Sequence, residues 1–388
     1  MNREQPLRVA FIGCGNVTVR SHAPVVRDLS FLSPVAVADP APARRAAALS
    51  ILGLPQEAGF DTHQEMLSSC SPDYVVLAVP PALRAAIVDD CARHNVHVLS
   101  EKPLATIPSV AQGIASAMAH AGLKMGMVHN YLYYPEYMLL KELITSGAVG
   151  DVRHVTLNFL GVPDHPGTAE YRPAWRHDPL EAGGGVLMDM IHAVYLAEFL
   201  VGSPFQAVSA IVDNLNRDGD VVEDLALVQL YFAGGYASIN MSWGHGPGGV
   251  ELAGSRGRAL IFYKDYGTGP FNMLDSFTLV NGDGRQSFQP RRDDAHNRSF
   301  FAVHEDFSNA IRRDQAPIAT PQDAIRSLEV VLGAYASAVE GRVVDLPLPA
   351  THPVYRSGVA GLRHLPAWSG SRLVRRRLFG CGLSGSSA

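Results

Sequence analysis

The sequence predicts an α/β fold with a doubly wound parallel sheet, followed by an α+β domain with a largely antiparallel sheet. Two observations lead to this prediction. From Leu7 to about Met127, short β-rich runs alternate with helical stretches, which is typical of a parallel sheet covered by helices on both faces. Beyond Gly150, strand-like runs are joined by glycine turns, which is typical of antiparallel sheets.

The first domain, which we expect over residues 1–128, has five predicted strands. They are Leu7–Ile12, Val35–Ala38, Tyr74–Val79, Val96–Ser100 and Lys124–Val128. Between them, Pro42–Leu52 and Ala82–His94 are alanine-rich or amphipathic and are predicted to be helices. In the second of these helices Leu83, Ile87 and Cys91 recur at helical spacing, so we expect this apolar stripe to pack on the sheet.

The second domain, expected over residues 129–350, opens with Val155, Leu157 and Phe159 alternating with polar neighbours. The further predicted strands are Ala207–Val212, Leu225–Phe232, Tyr236–Trp243 and Arg258–Tyr263, and the predicted helices are Phe301–Arg312 and Pro321–Glu340. Residues 351–388 lose this periodicity, and we expect a flexible tail there. Its basic residues Arg372, Arg375, Arg376 and Arg377 are typical of a solvated charge run, and contact with an anionic surface is the alternative.

Composition excludes several classes of protein. The 388 residues are 47% hydrophobic and 18% charged with a net charge of −5, so we expect a soluble globular protein that binds no nucleic acid. The cysteines Cys14, Cys70, Cys91 and Cys381 lack the spacing of a zinc site or a disulfide scaffold. We therefore expect no structural metal. The first strand begins within seven residues and no apolar run is long enough to cross a membrane, so the prediction is a cytoplasmic protein.

A glycine turn follows the first predicted strand directly, in the run Gly13-Cys-Gly15-Asn-Val-Thr18. Gly13 would permit a tight turn, and Gly15 would let backbone N–H groups approach a dinucleotide diphosphate at a helix N-terminus. Thr18 stands where the usual fingerprint has its third glycine. The pattern therefore predicts nucleotide binding, with an ordinary strand-to-helix connection as the alternative.

Asp39 ends the second predicted strand, twenty-one residues after Thr18. This is the placement expected of a carboxylate that accepts from both ribose hydroxyls, and it would repel the 2′-phosphate of NADP. We therefore expect NAD as the cofactor. Arg44 and Arg45 follow closely enough to keep NADP possible, although solvated helix charge is the alternative.

The segment Ser100-Glu101-Lys102-Pro103 follows a predicted strand, at the end where a doubly wound sheet opens its ligand crevice. A partly desolvated lysine beside a cationic nicotinamide would have a lowered pKa and could exchange a proton with a substrate hydroxyl. Lys102 is thus a candidate catalytic residue. A surface Glu-Lys pair at the end of a strand is the simpler alternative.

A second cluster comprises Trp175-Arg176-His177-Asp178 and the run from Gly183 to His192. Three glycines from Gly183 to Gly185 precede a helical pattern and offer backbone N–H groups, and Asp189 and His192 are spaced to share one helix face. A histidine held by a carboxylate can accept the hydroxyl proton during hydride transfer. The alternatives are a helix-surface hydrogen bond and a zinc site, for which spacing places no third ligand.

In this order these motifs resemble the Gfo/Idh/MocA oxidoreductases, the family of glucose-fructose oxidoreductase and inositol dehydrogenase. The resemblance covers roughly residues 7–348 and includes Asn130, residues 147–152, 254–257 and 316–321. It implies an N-terminal Rossmann domain that binds NAD or NADP. It also implies a C-terminal domain with an open-faced sheet that shapes the substrate pocket and forms homodimers or homotetramers.

The resemblance further implies roles for individual residues. Lys102 corresponds to the active-site lysine, Glu101 to a contact of the nicotinamide ribose, and Asp189 and His192 to a substrate-binding and proton-transfer pair. Trp175 and Arg176 join the expected substrate site. The remaining expected cofactor contacts are Gly13, Gly15, Asn16, Val17, Asp39, Val79, Pro80 and Asn130.

Three departures from the family pattern make the substrate site unusual. Asp189 and His192 are three residues apart where the family often has four, Tyr195 stands at a position that is commonly aspartate, and Arg84 at one that is commonly histidine. If the short spacing displaces His192, Tyr195 or a tyrosine of Tyr131-Leu-Tyr133-Tyr134 is an alternative proton donor.

The expected reaction is hydride transfer between a nicotinamide and a ring hydroxyl or ketone of a sugar, cyclitol or nucleotide-sugar. His192, assisted by Lys102, would take the hydroxyl proton, and Asp189 would orient His192 or bind a neighbouring hydroxyl. The expected partners are a small polyhydroxylated substrate and further copies of the chain. Two alternatives remain: an NAD-dependent enzyme that cleaves glycosides without net redox, and a non-catalytic NAD-binding regulatory protein.

Overall fold

The structure is a computed structural model that describes residues 5–161, 174–215, 221–244, 246–264, 274–375 and 378–379. The strands in these ranges are β1 (Leu7–Ile12), β2 (Leu32–Ala38), β3 (Gly59–Phe60), β4 (Tyr74–Leu77), β5 (His97–Ser100), β6 (Met125–Met127), β7 (Val152–Leu160), β8 (Ala207–Asp213), β9 (Leu225–Phe232), β10 (Gly235–Ser242), β11 (Gly248–Gly254), β12 (Gly257–Tyr263), β13 (Leu274–Asn281), β14 (Gly284–Phe288) and β15 (Val344–Asp345). The helices are α1 (Ala23–Asp28), α2 (Pro42–Leu52), α3 (His63–Ser69), α4 (Arg84–Arg93), α5 (Pro108–His120), α6 (Pro135–Thr145), α7 (Pro179–Ala182), α8 (Val186–Asp189), α9 (Ile191–Val201), α10 (Ala295–Arg312), α11 (Pro321–Glu340), α12 (Pro353–Ser357) and α13 (Arg372–Arg375).

Two compact units divide the chain. The first comprises residues 1–105, 110–130 and 296–324, and the second comprises residues 106–109, 131–295 and 325–388. The sequence predicts contiguous domains with a boundary at residue 128, whereas residues 296–324 group with the first unit.

A six-stranded parallel sheet in the order β3-β2-β1-β4-β5-β6 forms the centre of the first unit. Its central strands are buried on both faces, because helices cover the apolar residues that alternate to the two sides of β1 and β4. The predicted α/β fold is confirmed. The strand order reverses between β1 and β4, and ligands of doubly wound sheets bind at such a point.

Helix α10 explains why a distant segment belongs to the first unit. Phe307 packs edge-on against Tyr74 of β4, with ring centroids 5.3 Å apart. A Cβ on Gly126 of β6 would lie 2.6 Å from the Phe307 ring, so this strand has a glycine where the helix side chain approaches. No local sequence pattern indicates this packing, since Tyr74 and Phe307 lie far apart in the chain.

The second unit contains a nine-stranded sheet in the order β14-β13-β12-β11-β7-β10-β9-β8-β15. All its pairs are antiparallel except β7 with β10, so the predicted mainly antiparallel sheet is confirmed. Along β9, Ala226, Val228 and Leu230 are buried while the residues between them are more exposed. This alternation places one face of the sheet in the core of the unit.

Several local predictions are corrected by the structure. Leu83 is 55% exposed, because it lies in a 3₁₀ turn before α4, and only Ile87 and Cys91 of the predicted stripe are buried. Strands β11, β13 and β14 were not predicted, since glycines or polar residues dilute their alternation.

The C-terminal region, where a tail is expected, contains α12 and α13. Val354, Leu362 and Leu373 in this region are buried, and Arg372 forms an ion pair with Asp213 at 2.7 Å. Arg376, Arg377 and Cys381, which also belong to the sequence predictions, lie outside the described residues.

Cys14, Cys70 and Cys91 are free thiols.

Candidate active site

The predicted cofactor residues follow the carboxyl ends of five neighbouring strands. They are Gly13, Gly15, Asn16 and Val17 after β1, Asp39 after β2, Val79 and Pro80 after β4, Glu101 and Lys102 after β5, and Asn130 after β6. Because these strands are parallel, all their carboxyl ends lie along the same edge of the sheet. The fold of the first unit thus brings this whole set of residues to one edge.

The glycine turn after β1 combines a crowded position with an open one. Gly13 has φ +94°, and a Cβ there would lie 2.3 Å from the carbonyl oxygen of Ala78, so no other residue fits. A Cβ on Gly15 would have no neighbour within 4 Å. Thr18, at the third fingerprint position, is buried and its hydroxyl donates to the Gly13 carbonyl at 2.7 Å. The threonine therefore closes the turn by a hydrogen bond.

Asp39 is 5% exposed and is fixed by the backbone on both carboxylate oxygens. The N–H of Cys14 donates to Oδ2 at 2.9 Å, and the N–H of Ala41 donates to Oδ1 at 2.8 Å. Arg45 donates to the Asp39 carbonyl oxygen at 2.5 Å and forms an ion pair with Asp61 at 2.5 Å. The carboxylate thus has a defined position beside the glycine turn.

Arg84 holds the main chain on both sides of Lys102. Its guanidinium is buried and donates to the carbonyl oxygens of Val79, Glu101 and Pro103. Burial lowers the pKa of Arg84 to about 10, so this side chain stays charged at neutral pH. Arg84 was noted in the sequence only as a departure from a family pattern, and its contacts show that it joins the segments after β4 and β5.

These residues fit a dinucleotide cofactor. The open space at Gly15 leaves room for a diphosphate, and a helical turn follows directly, so the diphosphate would lie at a helix N-terminus. Asp39 adds a fixed carboxylate of the kind that accepts from ribose hydroxyls.

In the second unit other parts of the protein pack closely against the glycine run from Gly183 to Gly185. A Cβ on Gly184, which has φ +148°, would lie 1.9 Å from the hydroxyl of Tyr335. A Cβ on Gly185 would lie 2.2 Å from the Glu223 carbonyl oxygen, and the Gly185 N–H donates to the Glu223 carboxylate at 2.9 Å. The N–H of Gly185, which was expected to be available to a ligand, is therefore bound internally.

Glu223 contacts this glycine run, and the sequence did not indicate it. It is fully buried and accepts from the N–H of Leu187 at 2.9 Å and from the Tyr335 hydroxyl at 2.7 Å. Burial raises its pKa to about 7, although these hydrogen bonds oppose the shift. Its carboxylate caps the start of α8, the short helix that ends at Asp189.

Asp189 and His192 lie on different helices, contrary to the predicted shared face. The chain breaks helical geometry at Met190, and the helices on its two sides are bent by 50°. Asp189 forms an ion pair with Arg176 at 2.8 Å, which joins two of the predicted substrate residues. Trp175 lies beside Arg176 in a partly exposed 3₁₀ turn.

His192 is surrounded by tyrosines. Its Nδ1 is 2.6 Å from the Tyr195 hydroxyl, which also accepts from the backbone N–H of Tyr131 at 3.3 Å. The Tyr131 ring stacks on the imidazole with centroids 4.1 Å apart. The Tyr195 hydroxyl thus holds Nδ1 of the imidazole. Burial raises the pKa of Tyr131 well above its ordinary value.

Comparison with known proteins identifies the family. A model of the oxidoreductase family with an NAD-binding Rossmann fold matches residues 7–129, and a model of the GFO/IDH/MocA C-terminal domain matches residues 137–260. The chain belongs to the Gfo/Idh/MocA family of oxidoreductases. The expected family and its NAD(P)-binding Rossmann domain are thereby confirmed.

Among the relatives of this Gfo/Idh/MocA protein is the dTDP-3,4-didehydro-2,6-dideoxy-alpha-D-glucose 3-reductase of Saccharopolyspora spinosa. It is 29% identical over 271 residues, which cover 66% of this chain and 75% of the reductase. The D-xylose 1-dehydrogenase (NADP(+)) 2 of Haloferax volcanii is 26% identical over 86% of this chain and 98% of its own. The aldose-aldose oxidoreductase of Caulobacter crescentus shares the fold, with a TM-score of 0.77, 24% identity, and coverage of 88% of this chain and all of the other.

Two further properties concern the described residues alone. In these ranges no three His, Cys, Asp or Glu side chains are grouped so that they could hold a metal ion. Of the helices described, none is by itself long and apolar enough to cross a membrane, and only residues 179–189 and 191–201 taken together across their bend meet that criterion.

Proposed function

We propose that this Gfo/Idh/MocA protein is an NAD-dependent dehydrogenase or reductase that acts on a ring hydroxyl or ketone of a sugar, cyclitol or nucleotide-sugar. The observation that carries the proposal is the single sheet edge at which the Gly13 turn, Asp39 and Lys102 follow adjacent strands. The substrate class is supported by relatives named for a dTDP-sugar and for D-xylose.

The cofactor, when bound, supplies the hydride acceptor or donor. In the proposal the Gly15 N–H and the following helical N–H groups bind its diphosphate, and Asp39 accepts from a ribose hydroxyl. Glu101 meets the nicotinamide ribose, and Val79, Pro80 and Asn130 complete the contacts. NAD is favoured because the Asp39 carboxylate is fixed in place and Arg45 is engaged with Asp61.

The proposal assigns the proton steps to Lys102 and His192. Lys102 exchanges a proton with the reacting hydroxyl, a role for which its amine needs to be partly desolvated. His192 is the second proton-transfer residue, and the Tyr195 hydroxyl on Nδ1 and the stacked Tyr131 ring hold its imidazole in place. Asp189, held by Arg176, binds a neighbouring substrate hydroxyl, and Trp175 lines the substrate site.

A homodimer or homotetramer through the nine-stranded sheet is part of the proposal. The strand register places four exposed apolar side chains on one face of this sheet: Ile211, Tyr231, Tyr236 and Phe262. These exposed apolar side chains support an interaction surface on this face. A cytoplasmic location is likewise proposed, in keeping with the free thiols of Cys14, Cys70 and Cys91. Sedimentation of the purified protein tests the oligomer.

The test of the function is an activity screen. Purified protein is incubated with NAD or NADP and with polyols, aldoses and nucleotide-sugars, and the absorbance of the reduced nicotinamide is followed. The proposal expects formation of NADH with at least one member of these classes. Cleavage of a glycoside without NADH accumulation, or the failure of every substrate together with stoichiometric binding of another protein, would contradict it.

A further inference from the structure

A chain of buried polar side chains leads from Glu101 into the core of the first unit. His22 Nε2 is 3.1 Å from Glu101 Oε1, His22 Nδ1 is 3.0 Å from His304 Nε2, and His304 Nδ1 is 3.0 Å from the Tyr74 hydroxyl. His22, His304 and Tyr74 are fully buried, and Glu101 is 8% exposed. Four side chains from four separate parts of the chain are thus linked by three hydrogen bonds.

The proton between His22 and Glu101 stays on His22 in every state of this hydrogen-bonded series. An ionised Glu101 can only accept a hydrogen bond. His22 Nε2 therefore carries the proton of their hydrogen bond whether His22 is neutral or charged. When His22 is neutral, His304 donates to it and Tyr74 donates to His304. When His22 is protonated, the two outer hydrogen bonds reverse and each group still has a partner. The donor that faces Glu101 is therefore the same in both states.

The charges around Glu101 favour its ionised form. Burial alone would raise the pKa of Glu101, but the His22 hydrogen bond and the charges of His22, Lys102 and Arg84 outweigh it and lower the pKa. A further titratable group that interacts with Glu101 is His129, after β6, whose pKa burial lowers to about 4. Burial and His22 also lower the pKa of His304 well below its ordinary value, so His304 is neutral.

The contacts of Arg84 and His22 on this segment differ. Arg84 binds the carbonyl oxygens of Glu101 and Pro103, so it holds only the main chain. The orientation of the carboxylate depends on His22 at Oε1 and on the backbone N–H of Lys102, which donates to Oε2 at 3.1 Å. His22 itself comes from the π-helical turn Thr18–His22 that follows the glycine turn, so it connects this turn to the Glu101–Pro103 segment.

We propose that His22, supported by His304 and Tyr74, is a positioning residue for the cofactor: it fixes the Glu101 carboxylate so that its remaining lone pairs meet the hydroxyls of the nicotinamide ribose. This inference rests on the proposed function, in which Glu101 contacts that ribose. It adds three residues from distant parts of the chain to the support of the cofactor site.

The test uses two isosteric replacements of His22. In His22→Gln the amide nitrogen lies near the former Nε2 and can still donate to Glu101. In His22→Asn it lies near Nδ1 and leaves Glu101 without this donor. His63→Asn is the matched control, because His63 forms another histidine–carboxylate contact in the same unit, with Asp90 at 2.7 Å. Dissociation constants for NADH are measured by fluorescence titration at about pH 6 and about pH 8, and the melting temperature of each free protein is recorded.

The proposal expects His22→Asn to weaken NADH binding by about tenfold at pH 8 and by more at pH 6, since the buried Glu101 then takes up a proton more easily. His22→Gln stays within about threefold of wild type at both pH values, and His63→Asn binds like wild type. If His22→Asn has a lower melting temperature but binds NADH as tightly as wild type, the proposal is overturned, because a merely structural role predicts that pattern.

A further variant keeps the test decisive if His22→Asn does not fold. His304→Leu leaves His22 Nδ1 without its partner and is expected to weaken NADH binding by about threefold or more. Wild-type affinity in folded His304→Leu would overturn the inference. If the wild-type protein binds neither NADH nor NADPH, the proposed function fails, and this inference fails with it.

Discussion

The glycine turn after β1 and the glycine run before α8 are similar in sequence, since each precedes a helix, yet the structure uses them in opposite ways. Gly15 faces open space, whereas Gly184 and Gly185 face Tyr335 and Glu223 at distances that admit no side chain. The first arrangement leaves backbone N–H groups for a ligand, and the other uses them inside the protein. What lies opposite a glycine, and not the glycine motif itself, decides its function.

A methyl group added at each glycine tests this difference most strongly. Gly184→Ala places a methyl group against the Tyr335 hydroxyl at a strained φ, so we expect a loss of about 3 kcal/mol in the free energy of unfolding, or failure to fold. Gly15→Ala is the matched control: it should change the stability of the free protein by less than about 1 kcal/mol and weaken NADH binding about tenfold or more. Denaturant unfolding and NADH titration check both. Equal stability of the two variants would contradict this interpretation.

Lys102→Ala tests whether Lys102 acts in proton transfer and not in cofactor binding. We expect kcat to fall by about two orders of magnitude, the usual scale for a general acid or base, with NADH affinity largely retained. Lys102→Arg keeps the charge but cannot release a proton, so it should be nearly as slow. Initial rates with the substrate found by the screen, together with NADH titration, provide the measurement. Unchanged turnover would remove Lys102 from the mechanism.

The burial of Glu223 beside Gly185 predicts a pH dependence of stability. Burial raises the folded pKa of Glu223 to about 7, above its ordinary value of 4.5, so the folded state holds a proton that the unfolded state releases. Glu223 therefore favours folding at low pH, and this contribution is lost as the pH rises from about 4.5 to about 7, by on the order of 2 to 3 kcal/mol.

The check is to measure unfolding of wild type and Glu223→Gln at several pH values in this window. The wild type should lose more stability with rising pH than the variant, because Gln has no proton to release there. Parallel curves for the two proteins would show that Glu223 does not titrate in this range.

The smallest expected effect concerns His192. Tyr195→Phe removes the hydroxyl on Nδ1 but keeps the ring, so we expect kcat to fall about tenfold. The melting temperature should fall moderately as well, because the buried N–H of Tyr131 loses its acceptor. Tyr355→Phe, at a partly exposed position of α12, is the control and should keep wild-type activity. If both variants are equally active, Tyr195 does not orient a proton-transfer residue.

The cofactor side could be predicted from local patterns. A strand followed by Gly13, a second strand ending in Asp39 and a third followed by Lys102 are each visible within about ten residues, and strand order then brings them to one edge. Thr18 weakened the fingerprint in sequence. Its hydroxyl bond to the Gly13 carbonyl shows how the turn closes without the third glycine.

The remaining contacts could not be predicted, because they join residues far apart in the chain. His22 and His304 are 282 positions apart, and α10 packs on the first unit through Phe307, which no local periodicity reveals. In the second unit, helical spacing placed Asp189 and His192 on one face, but the break at Met190 separates them. The partners that the structure gives these two residues are Arg176 and Tyr195.

The central claim is that the carboxyl edge of the parallel sheet holds a dinucleotide between the Gly13 turn and Lys102, with Asp39 selecting NAD. Calorimetric titration of the purified protein with NAD and NADP tests it most directly. We predict one site per chain and NAD binding about tenfold or more tighter than NADP, with that preference lost in Asp39→Asn. No heat with either cofactor, or equal affinity for both in the wild-type protein, would contradict the account.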